Sequence, residues 1–386
     1  MNEKTYKLKD ICSLISKGST PRGKVEYAHD LEYPFLRVTD IVDFSYISKT
    51  DLTLSEDEVK KYKMKIWPKK TVVISIEGTV GKVSIIEREM TMNQAVAGIV
   101  VNEDIILPEY LMYYLKSKRA FGKVIKGTIM PAIRLGDISN LEIEVPNLEK
   151  QHQIVNKISI FDKIILNTLD NNERLIQIIQ KVYDDFFEEN CSDHLVKDIA
   201  SLKNGFAFKG KDFSNKGIPV IKIKNVKPYS IVLNELDYIP EELINENHKA
   251  IINYNDILIT MTGNRISGSP NSWVGKVALF NVEGKYLLNQ RLGCIIPKEE
   301  KYRFYLFMNL ASWNSQVYFI QRSTSSGGQS NISPDTILNK KISIPDDEKL
   351  EKFNNICKLA FKIISKNNEN ISYLIKCRDV TMNKLF

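Results

Sequence analysis

EKQHQIVNKISIFDKIILNTLDNNERLIQIIQKVYDDFFEE, residues Glu149 to Glu189, contains neither Gly nor Pro and spaces its apolar residues alternately three and four apart. That pattern predicts one long helix with a narrow apolar seam. Ile158, Ile165, Ile179 and Phe186 take the heptad a positions and Ile154, Phe161, Leu175 and Val182 the d positions, with Thr168 and Asn172 as interruptions. At about 1.5 Å per residue such a helix spans roughly 60 Å, too long for the core of one compact domain. It requires a partner along its length.

An internal duplication supplies that partner. LKDICSLISKG (Leu8 to Gly18) returns as VKDIASLKNG (Val196 to Gly205), and YPFLRVTDI as IPVIKIKNV (Ile218 to Val226). TVVISIEG returns as DILITMTG (Asp256 to Gly263), TVGKVSII as WVGKVALF (Trp273 to Phe280), and TMNQAVAGIV as LLNQRLGCII (Leu287 to Ile296). A repeat of about 195 residues is a duplicated domain, not a solenoid. After Pro345 the long-helix segment returns too, as DDEKLEKFNNICKLAFKIISKNNENISYLIKCRDVTMNKLF, with Ala360, Asn367 and Arg378 on its seam. A pseudo-twofold between the halves requires the two helices to pair antiparallel. One register sets Asn172 against Asn367, Phe186 against Phe353, Leu175 against Ile364 and Ile165 against Leu374. It places the poorest core residues opposite each other, and a buried Asn pair fixes register at a cost in stability.

The expected architecture is therefore α+β. Residues 1–147 and 191–345 form two mixed α/β units, and residues 148–190 and 346–386 form two long helices in an antiparallel coiled coil. In the first unit strands are expected at Tyr33–Val38, Lys70–Ile76, Gly81–Ile86, Ala95–Val101 and Leu141–Pro146, and a helix at Leu107–Ile125, opened by Pro108.

Composition narrows the function. No stretch approaches 18 uncharged apolar residues, and the start, MNEKTYKLKD, lacks the apolar run of a signal peptide, so a cytoplasmic protein without membrane association is expected. The five cysteines are scattered and the four histidines isolated, which disfavours disulfides and metal sites. The net charge of +7 is uneven: residues 1–147 carry 22 basic and 20 acidic residues, and residues 191–345 carry 19 and 13. A basic globular unit is compatible with a phosphate-backbone partner.

Catalytic motifs are absent. GTVGK (Gly78 to Lys82) has the wrong spacing for a phosphate-binding loop and leads into a strand, so it reads as a β-turn. Paired carboxylates such as Asp184 and Asp185 belong to a solvated helix face. The loops offer binding chemistry instead, because Arg forks, lysines, amides and hydroxyls in Gly/Ser-rich segments reach phosphates and base edges. The candidates are Thr20, Arg22, Lys24, Lys82, Asn93 and Arg134 in the first copy. In the second they are Lys209, Lys211, Arg265, Ser269, Lys276, Asn289, Arg322, Ser326 and Gln329. The competing reading for Asn93 and Asn289 is a hydrogen bond to a neighbouring strand; for Trp67, Trp273 and Trp313 it is burial in a core.

Two divergent copies of a unit that begins LKDI, passes through a GKV turn and an NQ strand, and feeds a long helix opened by EKQHQIVNKI resemble the specificity subunit of Type I restriction-modification systems. SGGQSNIS and ISIPDDEKLEKFNNI carry the same signs in the second copy, although Leu350-Glu351 replaces Gln151-His152. The resemblance implies two target recognition domains that each read half of a split, asymmetric double-stranded DNA target. It also implies a coiled coil that separates them and docks methyltransferase subunits, two in number, and further restriction/translocase subunits. The chain itself is then non-catalytic and binds no cofactor, with S-adenosylmethionine, ATP and Mg expected on the partners. The rival classes are a self-contained modification enzyme of Type II kind and a coiled-coil scaffold without DNA function.

Overall fold

The computed structural model describes residues 4–21, 23, 26–27, 31–117, 120, 133–187, 194–233, 236–244, 248–264, 273–326 and 329–386. The chain divides into two compact units, Met1–Thr168 with Asn370–Phe386, and Leu169–Glu369. Each unit therefore holds part of the two long helices, α1 (Leu148–Phe186) and α2 (Asp347–Leu385).

The first unit is built on a sheet of β1 (Cys12–Lys17), β2 (Val72–Ser75), β3 (Val83–Ile86) and β4 (Val96–Val101) in the order β1-β4-β2-β3, all antiparallel. A short strand, Tyr46–Ile47, extends it in parallel beside β3. In the second unit β5 (Ala200–Asn204), β6 (Asp256–Thr260), β7 (Val277–Phe280) and β8 (Leu292–Pro297) take the same order, β5-β8-β6-β7, again antiparallel. A smaller sheet also recurs: Tyr33–Leu36 lies parallel to Thr91–Met92, and Ile218–Ile221 parallel to Tyr286–Leu288. The duplication read from sequence is thus a duplication of topology. Strands β2, β3, β6 and β7 are buried throughout, which accounts for their near-continuous apolar sequence.

A helix covers each main sheet. Pro108–Lys116, with Pro at its first turn, buries Leu111, Met112 and Leu115, while the Tyr110 and Tyr114 hydroxyls donate to the carbonyls of Glu144 and Glu142 at 3.0 Å each. The helix expected to continue to Ile125 stops at Lys116, and most of the remaining stretch lies outside the described residues. Arg303–Ala311 takes the corresponding place in the second unit and buries Phe304, Tyr305, Leu306 and Phe307.

Within each unit the long helices run antiparallel. In the second unit the Asn367 amide donates to Asn172 Oδ1 at 2.7 Å, and the Asn172 amide donates to Asn368 Oδ1 at 3.1 Å. Phe186 and Phe353 meet with ring centroids 6.4 Å apart, and Leu175 and Ile364 share one apolar cluster. The predicted register therefore holds at its asparagines and phenylalanines, with Asn368 as an additional partner. In the first unit Ile154 and Ile158 pack into the cluster containing Met382 and Phe386. The buried face is wider than the predicted seam, because Val155, Tyr183 and Phe187 turn toward the globular cores.

Two polar anchors hold the helices to these cores. Gln151, fully buried, accepts from Leu107 N–H at 2.8 Å and donates to the carbonyls of Ile105 and Pro146 at 2.8 Å each. The corresponding start of α2 substitutes apolar burial of Leu350, with Asn354 donating to Lys301 O at 2.9 Å. Deeper in the first unit, Asp162 accepts from the Tyr113 hydroxyl at 2.6 Å and from Arg378 Nη1 at 2.9 Å, and Arg378 lies 3.8 Å from the centroid of the Phe44 ring. Burial raises the Asp162 carboxyl above its ordinary pKa, against the opposing pull of Tyr113 and Arg378. Arg378, a weak point of the seam on sequence, is thus one half of a buried ion pair.

Asp162→Ala leaves Arg378 with Asp379 as its remaining carboxylate and deprives the buried Tyr113 hydroxyl of its acceptor; the expected cost is about 1–3 kcal/mol, read as a lowered chemical-denaturation midpoint. Asn172→Ala leaves the Asn367 amide short of a partner. Its expected cost is about 1–3 kcal/mol, and an unchanged midpoint would show that the asparagines contribute nothing.

Candidate nucleic-acid interface

In each unit one end of the main sheet gathers the loops that the sequence marks for binding, and it does so through the same backbone hydrogen bonds. Gly18 N–H donates to Val96 O and Ser19 N–H to Met92 O, both at 2.9 Å; in the second unit Gly205 N–H donates to Leu292 O at 3.0 Å and Phe206 N–H to Leu288 O at 2.8 Å. Ile76 N–H reaches Ala95 O at 2.8 Å, as Met261 N–H reaches Arg291 O at 2.9 Å. Ile133 N–H then donates to Ile76 O at 2.9 Å, and Ile332 N–H to Met261 O at 3.0 Å. Glycine is needed where these segments cross. A Cβ on Gly18 would lie 2.2 Å from Met92 O, and one on Gly205 2.1 Å from Asn289 O. The GK turns also match, with φ of 87° at Gly81 and 83° at Gly275.

On this frame Thr20, Asn93 and Gln94 come together, the Thr20 hydroxyl donating to Gln94 Oε1. Arg134 follows the tethered Ile133, exposed, its backbone N–H held by Asp137. Asn93 Oδ1 is buried without a hydrogen-bond partner among the described residues, so that oxygen faces inward. In the second unit Asn289 is half-buried and donates its backbone N–H to Ile221 O. Lys209 and Lys211 are exposed on a short 3-10 turn held by Asp212. Arg322 is exposed and stacks on Tyr318 at 4.1 Å, while Gln329 opens a strand paired with Thr324–Ser326. Arg22, Lys24, Arg265, Ser269 and the Ser326 side chain lie outside the described residues.

Two lysines sit differently from the sequence expectation. The Lys82 ammonium turns inward to the carbonyls of Ile41 at 3.1 Å and Val38 at 3.4 Å. Lys276 is 2% exposed, and burial, with the like charge of Lys227, lowers it from 10.5 to about 8. Both follow a glycine whose positive φ turns the chain back into the sheet. The tryptophans also divide: Trp67 and Trp273 are core residues, whereas Trp313 is 62% exposed against Trp273, with centroids 5.8 Å apart.

The sequence reading passed over one cluster. Arg291, next to the NQ pair, is exposed; its Nη1 donates to Thr262 Oγ1 at 3.3 Å and Asn331 Oδ1 at 3.4 Å, and the Thr262 hydroxyl donates to Asn331 Oδ1 at 2.7 Å. The signal available was the departure of NQR from NQA in the first copy. Such an arrangement of exposed amides and cations over backbone-tied loops suits contact with a polyanion and its polar edges. Among the described residues no cluster of His, Cys, Asp and Glu is arranged to hold a metal, and no helix is long and apolar enough to cross a membrane.

The family described as "Type I restriction modification DNA specificity domain" matches residues 2–178 and again residues 194–372. The chain belongs to that family. Among relatives, this specificity chain is 25% identical to the Type I restriction enzyme MjaIX specificity subunit of Methanocaldococcus jannaschii, over 98% of this chain and 91% of that protein. It is 24% identical to the MjaVIII specificity subunit of the same organism, over 96% and 88%. A solved Type I restriction-modification S subunit from M. genitalium aligns over 100% of the chain and 96% of its own, with a TM-score of 0.49 and 16% identity.

The buried Lys276 gives the specificity chain a testable alkaline signature. Its folded pKa of about 8 lies below the ordinary lysine value of 10.5, so between those limits the unfolded state binds the extra proton and the contribution of this group to stability rises with pH. Below about 8 the penalty is fully present. Across this window the wild-type denaturation midpoint is expected to gain steadily on that of Lys276→Met, since the buried thiols and tyrosines, whose pKa values burial raises, act on both alike; a constant difference between the two would show that Lys276 is not buried as a strained cation.

Proposed function

We propose that the chain is the non-catalytic DNA-reading subunit of a Type I restriction-modification complex, and that each unit takes one half of a split, asymmetric double-stranded target. Family membership over both repeats supports the DNA-specificity role. The observation that carries the asymmetry is the shared frame with unequal side chains. Ala95 and Arg291 hold the same backbone hydrogen bond to Ile76 and Met261, and the next residues after those, Glu77 and Thr262, differ as well. Positions equivalent in backbone but unlike in donors and acceptors select different base pairs.

In this reading the long helices present docking surfaces to two methyltransferase subunits, which bring S-adenosylmethionine and modify adenine, and a restriction/translocase subunit brings ATP and Mg. The complex works in the cytoplasm, where the host DNA lies. Genome-wide mapping of modified adenines in hosts with and without the gene tests it. A gapped motif with unequal halves is expected to disappear on deletion, and a palindromic or ungapped motif would overturn the proposal.

A further inference from the structure

We infer that Arg291 reads a guanine in the half-site taken by the second unit, with Thr262 and Asn331 as the residues that position its guanidinium. The inference rests on the DNA-reading function proposed above and names one determinant of its specificity.

Arg291 stands at the sheet end where the loops of the second unit are tied together, and its own carbonyl is part of that tie, accepting from Met261 N–H at 2.9 Å. Its side chain is exposed, yet Nη1 is held by oxygens from two strands, Thr262 Oγ1 at 3.3 Å and Asn331 Oδ1 at 3.4 Å. The brace is itself rigid. Thr262 is 3% exposed, donates to Asn331 Oδ1 at 2.7 Å, and pairs with Asn331 in the strand ladder. Neither brace residue is anionic, and Arg291 forms no ion pair among the described residues, so its charge remains available.

With Nη1 occupied, the Nε and Nη2 edge remains open among the described residues. Two parallel N–H donors on a planar fork match the O6 and N7 acceptors of guanine in the major groove, the commonest base-specific arginine contact. A phosphate contact needs charge but no such orientation, and the exposed Lys209 and Lys211 meet that need as mobile point charges. The first unit carries Ala95 at the equivalent position, so the determinant belongs to one half-site alone.

The test uses the chain assembled with its methyltransferase subunits, as wild type, Arg291→Lys and Arg291→Ala, selected on a randomised duplex library and titrated with salt. The wild type is expected to demand guanine at one position of one half-site. Arg291→Lys is expected to retain the salt dependence while its preference at that position falls roughly ten- to hundredfold, with the other half-site unchanged as an internal control. Thr262→Val, which removes part of the brace, should weaken the same preference less.

Unchanged base preferences in both Arg291 variants overturn the inference. So does a uniform loss of affinity with the salt slope of Arg291→Ala reduced by about one, the mark of a phosphate contact. Loss of both half-sites together also overturns it, since that outcome assigns Arg291 a structural role. A wild-type complex that selects no sequence fails at the earlier step and removes the proposed function itself.

Discussion

Antiparallel pairing of α1 with α2 within each unit is the constraint on which the rest of the structure depends. Neither globular core is complete without both helices. Ile154 and Ile158 of α1 close the first core together with Met382 of α2 and Phe386 just after it, and Ile179 and Tyr183 close the second together with Phe353 and Phe361. Hydrophobic burial alone would tolerate a slip, because apolar contacts are non-directional. Polar pairs do not. Asn172 with Asn367 and Asn368 in one unit, and Asp162 with Arg378 in the other, lose the hydrogen bonds between the helices if the helices shift, although Asp162 keeps Tyr113 and Arg378 keeps Asp379.

These polar groups cost stability where they stand and return specificity of alignment. Asp162 is held with a raised pKa by its burial, and the pair survives because Tyr113, Arg378 and the Phe44 face surround it. Arg378 thereby links α2, α1 and the globular part of one unit through a single side chain. In the second unit the same task falls to apolar packing at Leu350 and Phe353 and to amides such as Asn354. The two copies have kept the geometry and exchanged the chemistry that maintains it.

The same division governs the binding ends. Backbone hydrogen bonds from Gly18, Ile76 and Ile133 recur at Gly205, Met261 and Ile332, and they fix where the loops begin. The side chains carried on that frame differ between the two copies. Separating a backbone-defined frame from side-chain-defined contacts lets the target change without disturbing the core.

The amino-acid sequence by itself determined the two long helices and the duplication of the mixed units, and it offered the helix register that the Asn172/Asn367 and Phe186/Phe353 contacts keep. These rest on periodicity and on repetition, both properties of position along the chain. It also determined the family, through motifs such as EKQHQI and NQ. Only the tertiary structure decided that Gln151 binds the Ile105–Leu107 segment, that Asp162 meets Arg378, that Lys82 and Lys276 turn inward, and that Trp313 alone of the three tryptophans is strongly exposed. It alone revealed the Arg291 brace as well. In each of these cases a polar or aromatic residue takes its role from a neighbour distant in sequence, and residue type and spacing do not specify which groups meet across space.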